Sequence, residues 1–124
     1  MVSEEFDRVE RDLAVAITNK LIADTEVKTT MTHTFPVMPQ NAQIDALAAM
    51  AQRVYGEIGR TLQLGGSGGA ADSSLAAGVF KPTLDGLGLV GDNAHTDREY
   101  AEVDSMVPRL YLLTRMVMEL GRKP

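Results

Sequence analysis

The chain has 124 residues, 44% hydrophobic and 23% charged, with a net charge of −5 and a pI near 4.9. That is the composition of a folded globular chain, and its acidity argues against a nucleic-acid partner, which needs a basic stripe. The absence of cysteine excludes disulfides and thiolate metal sites, and no apolar run reaches the length of a membrane-spanning helix.

Ser3 with Glu4 and Glu5 suits the start of a helix. Phe6, Val9, Leu13, Ala16 and Ile17 follow at helical spacing, and Asn19 is placed to end it. From Glu26 the period changes to two. Val27, Thr29, Met31, His33 and Phe35 fall on one face and a threonine-rich set on the other, which predicts a strand. Pro36 and Pro39 stop it. Asn41 can cap a second helix, whose stripe of Ile44, Leu47, Ala48, Ala51, Val54, Tyr55 and Ile58 precedes a stop at Gly59.

The segment TLQL reads as a short strand, and Asp72 as the cap of a short helix. KPTLDGLGL reads as a further buried strand and VGDNAHTDREYAEVD as a polar loop. The last helix starts near Ser105, tolerates Pro108 in its first turn and ends at Gly121. Its core face is expected to be Met106, Leu110, Leu113, Val117 and Leu120. Alternating helices and strands predict an α/β or α+β chain with a domain boundary at Pro36–Asn41. The strand before that boundary has few partners in the chain.

Four features carry chemistry. The glycine loop LGGSGGAAD lacks the Gly-Lys-Ser/Thr of a phosphate-binding loop, so it is either a structural strand-to-helix turn or a ligand-facing one. His95, in GDNAHTDREY, is either a solvated loop residue or a ligand at the carboxyl end of a strand. His33 reads as a half-buried histidine on a strand. The Glu4-Glu5 pair is explained by its place at a helix N-terminus.

Taken together, GGAADSSLAAGVFKP, LDGLGLVGDNAHTDREYAEVD and VPRLYLLTRMVMELG resemble the C-terminal end of the zinc-dependent aminoacylase/carboxypeptidase family, in particular its bacterial glutamate carboxypeptidases of carboxypeptidase G type. The resemblance implies an α/β fold: residues 39–124 as the C-terminal segment of a phosphorylase/hydrolase-like mixed-sheet catalytic domain, and residues 1–38 as the last helix and strand of an inserted α+β lid or dimerisation domain. It implies a dizinc metallopeptidase that hydrolyses a small peptide or an N-acyl amino acid, with His95 as one zinc ligand, Asp97 or Glu99 orienting it, and Gly68, Gly69 and Asp72 approaching substrate. Ala71 stands where the family often has threonine, and Phe35 where relatives carry an arginine that holds a substrate carboxylate.

The family's first His-x-Asp motif, bridging aspartate and Glu-Glu pair have no counterpart here. The resemblance therefore implies a C-terminal fragment, inactive alone, whose partners are the missing N-terminal part of the same enzyme and a second copy in a homo-oligomer, with no nucleic acid or membrane. The alternative from a different class is a non-catalytic α/β module acting in partner binding or self-association.

Overall fold

The structure is a computed structural model that describes residues 3–18, 22–32, 34–79 and 81–122. Four α-helices dominate: α1 (Ser3–Thr18), α2 (Ala42–Gly56), α3 (Asp72–Gly78) and α4 (Met106–Leu120). Two short strands, β1 (Gly91–Asp92) and β2 (Tyr100–Ala101), pair antiparallel with Gly91 opposite Ala101 and Asp92 opposite Tyr100. A 3-10 turn, Val103–Ser105, leads into α4. Among the described residues no helix is long and apolar enough to cross a membrane.

The chain divides into two compact units. One comprises Met1–Pro39 and Ser67–Lys81, the other Gln40–Gly66 and Pro82–Pro124. In the first, α1 leaves Phe6, Val9 and Ile17 half-buried and Leu13 exposed. A Cβ at Gly78 would meet the Pro36 ring at 2.5 Å, so glycine lets α3 end against that proline.

The second unit is built on α2 and α4. Asn41 is the N-cap of α2, its Oδ1 accepting from the Gln43 and Ile44 amides at 3.0 Å each. These are two of the orphan donors at any helix start. The helix closes through Gly59, at φ 70°, with its amide donating to the Gly56 carbonyl at 2.9 Å. The core gathers Ala51, Val54 and Tyr55 of α2, Leu62 of the following segment, and Leu112 and Met116 of α4, with Leu84 and Leu87 packed against it. Gln52 fixes the Leu62 strand of chain by donating to its carbonyl at 3.0 Å.

Three expectations need correction. Residues 26–32 and 34–35 form no β-ladder, nor do TLQL and KPTLDGLGL. A ladder needs a partner strand, and none of these segments finds one among the described residues. The paired strands lie instead inside the stretch read as a polar loop. Asp72 is the first residue of α3 and not its cap; Ala71 holds the capping position without a side-chain hydrogen bond. Finally, the α4 stripe expected in the core is exposed: Leu110 and Val117 keep 63% and 69% of their surface, while the neighbouring Leu112 and Met116 are buried. His33 and Asn19 lie outside the described residues.

Candidate functional site

Each candidate residue is positioned locally. Residues 93–99 connect β1 to β2 and carry His95 near their centre. Two non-glycine residues there adopt left-handed backbone, Asn93 at φ 58° and His95 at φ 66°. That region is uncommon for residues with a Cβ, although asparagine and histidine are enriched in it. The conformation is held by Thr96, whose amide and Oγ1 both donate to the Asn93 carbonyl, at 3.2 and 2.7 Å, while Oγ1 accepts from the Arg98 amide at 3.1 Å. Asp92 Oδ1 accepts from the Asn93 amide at 2.7 Å. The imidazole-bearing residue is exposed, as are Asp97 and Glu99.

The foot of this hairpin is anchored by a residue that sequence reading assigned only to the start of a helix. Buried Ser105 accepts from the Val90 amide at 3.0 Å and donates to the Glu102 carbonyl at 2.6 Å. The Glu102 amide in turn donates to the Val90 carbonyl at 2.8 Å. Both backbone polar groups of Val90 are thereby paired as the chain enters the hairpin. The signal was a serine just ahead of an apolar run, a position that favours capping, but here its hydroxyl serves a distant segment.

Gly68, Gly69 and Asp72 belong to the other unit, from which Ser67–Lys81 is drawn. All three are exposed. The Gly69 amide donates to Ser67 Oγ at 3.0 Å. Neither Gly68 nor Gly69 has positive φ, and a Cβ at Gly68 would meet nothing within 4 Å. The chain's own packing does not demand glycine at that position.

Zinc needs at least three protein donors. Among the described residues no group of three or more histidine, aspartate or glutamate side chains comes together in a way that could hold a metal ion. His95 with its carboxylate neighbours therefore does not make a zinc site within the described chain.

The most developed polar cluster lies elsewhere, between α2 and α4. Glu57, which ends α2, accepts from Arg115 Nε and Nη2 at 3.1 Å each, from the Tyr111 hydroxyl at 2.7 Å and from Arg53 at 3.3 Å. Arg53 also pairs with Glu119. The Arg115 fork and then the Tyr111 hydroxyl hold the Glu57 carboxyl below its ordinary value of 4.5, and Glu57 raises Arg115 in return. This cluster clamps α2 to α4.

Comparison with known proteins gives the frame for these features. Residues 2–119 match the model of peptidase family M20/M25/M40. The chain is 31% identical over 121 residues to Carboxypeptidase G2 of Pseudomonas sp. (strain RS-16), an alignment that covers 96% of this chain and 29% of that protein. The chain thus spans less than a third of the length of the curated relative it matches. No solved structure matches it. With the family model covering nearly all of its length, the chain belongs to peptidase family M20/M25/M40.

Proposed function

We propose that this chain is the C-terminal portion of a zinc-dependent amide hydrolase that cleaves a peptide or N-acyl amide bond. In this reading residues 39–124 belong to the catalytic domain and residues 1–38 to the end of a lid or dimerisation domain. His95 gives one donor to the metal centre, and the turn at Gly68, Gly69 and Asp72 lies along the substrate. The observation that carries the reading is the family match over residues 2–119, and the likeness to a carboxypeptidase supports it.

Two local features support the residue roles. Left-handed backbone at His95 costs conformational energy, and Thr96 and Asn93 hold it in place. Strain of this kind is a feature of functional loops more than of solvated ones. At Gly68 the open space leaves room for a ligand to reach the main chain. Phe35, exposed and apolar, offers no positive charge to a substrate carboxylate at that position.

The remaining metal donors and the proton-transferring base are proposed to come from polypeptide outside these 124 residues, so the chain alone is inactive. The test is a pair of assays against N-acyl amino acids and dipeptides with added zinc: the chain by itself, and a hybrid in which it replaces the matching segment of Carboxypeptidase G2. The chain alone is expected to be silent, and the hybrid active until His95→Ala is introduced. Turnover by the chain alone would end the claim of inactivity. A hybrid indifferent to His95→Ala would remove the assigned role of that residue.

A further inference from the structure

Asp85 and Gly86 form the only Asp-Gly step of the sequence, and it contains no Asn-Gly step. Both residues are exposed, in a turn between Leu84 and Leu87, whose side chains pack against the core. The Gly86 amide donates to Asp85 Oδ1 at 2.7 Å, so a carboxyl group lies against the next main-chain nitrogen. Gly86 is at φ 68°, and a Cβ built on it would meet nothing within 4 Å, so no side chain crowds that nitrogen. Two other aspartates serve as comparisons. The same contact recurs at Asp92, whose Oδ1 accepts from the Asn93 amide at 2.7 Å, but there the nitrogen belongs to a residue with a side chain. At Asp104 the following amide is that of buried Ser105, and it donates to the Glu102 carbonyl at 3.0 Å instead.

We propose that Asp85 is a site of spontaneous isoaspartate formation, and that the fold promotes the reaction there. The Gly86 nitrogen attacks Cγ of the protonated Asp85 carboxyl. A C–N bond forms, the amide proton and the carboxyl hydroxyl leave as water, and a succinimide ring closes. Water then adds to one of the two ring carbonyls. Addition at Cγ breaks the new bond and restores aspartate. Addition at the former main-chain carbonyl breaks its bond to the Gly86 nitrogen, and the chain then runs through Cβ and Cγ. Water lost in the first step is returned in the second, so the net change is an isomerisation that needs no oxidant, reductant or cofactor. The product has an extra main-chain atom between two leucines that pack on the core. Further along, the Val90 amide and carbonyl are tied to Ser105 and Glu102. The added length is therefore taken up by lifting Leu84 or Leu87 from the core, and the isomer is less stable than the encoded chain.

The reaction is independent of any peptidase activity and is tested on the chain alone. Purified chain is aged in mildly acidic buffer at physiological temperature. Isoaspartate is quantified by enzymatic carboxyl methylation and located by electron-transfer fragmentation of the derived peptides. It is expected to accumulate at Asp85 ahead of Asp92 and Asp104, and at least as fast in the folded chain as in the same chain unfolded in urea. Asp85→Glu is expected to abolish the signal at that position, because the longer side chain cannot close the same ring. Gly86→Ala, compared with wild type in urea so that no change of fold intervenes, is expected to slow the reaction about tenfold through crowding by the added Cβ. The isomerised chain, separated from the encoded one, is expected to have the lower thermal midpoint. Isoaspartate absent from position 85, formed there no faster than at Asp92, formed more slowly in the folded than in the unfolded chain, or indifferent to Gly86→Ala would each overturn the proposal. An isomer with an unchanged midpoint would overturn the consequence drawn for the core.

Discussion

Arg115 of α4 donates two hydrogen bonds to Glu57, one to each carboxylate oxygen, at 3.1 Å. This fork, with the Tyr111 hydroxyl on the same carboxylate, fixes the angle at which α4 meets the end of α2. Both side chains keep about a third of their surface in water, at 30% and 29%. Arg115→Ala is therefore expected to cost only a modest part of the stability, lowering the thermal midpoint measurably without unfolding the chain.

The same pair predicts an acid response. Glu57 is held below its ordinary 4.5 in the folded chain, so its contribution is complete above that value and is lost as pH falls through the lower folded one. Thermal midpoints measured from neutral to acid are expected to fall for the wild type, and the gap between it and Glu57→Gln to close below pH 4.5. A gap that widens in acid would reverse the sign and sink the prediction.

Leu112 is fully buried between the helices. Leu112→Ala removes its contacts and leaves a cavity, a change expected to cost about 2–5 kcal/mol in urea unfolding. Thr114→Ala, two residues on and exposed, is expected to fall within about 0.5 kcal/mol of wild type.

Asn41 holds two amides at the start of α2. Asn41→Ala is expected to cost about 1 kcal/mol and Asn41→Asp close to nothing. Equal losses for both would mean that the cap is not the operative interaction.

Zinc titration of the chain by calorimetry is expected to show no tight stoichiometric binding, because no three donors converge among the described residues. His95→Ala is expected to leave the weak background unchanged. A tight site that disappears on that substitution would show a complete metal centre in the chain.

The helices were legible in the sequence and the sheet was not. Asn41, Gly59 and the Ala51–Val54–Tyr55 stripe act locally, through caps, a left-handed turn and periodicity, and all three hold in the structure. Strands depend on partners that a local pattern does not name, so among the described residues 27–32 and 34–35 found no ladder, while Gly91–Asp92 paired from within an apparent loop. On α4 the period was right and the face was wrong. Both sides of that helix are apolar, and what separates Leu112 from Leu113 is that α2 covers only one of them. At His95 the sequence offered a histidine and two acidic neighbours. The left-handed backbone that aims it was legible only as a faint Asp-Asn turn signal.

Gly91 sits so close to its partner strand that a Cβ there would collide with the Tyr100 carbonyl oxygen. Any side chain at this position must pry β1 from β2, and the displaced backbone leads straight into Asn93 and His95. The orientation of the histidine thus hangs on a residue that never touches it and has no functional group. In a survey of natural or laboratory variants, position 91 would look like an active-site residue, intolerant of every substitution, although all it contributes is the absence of an atom.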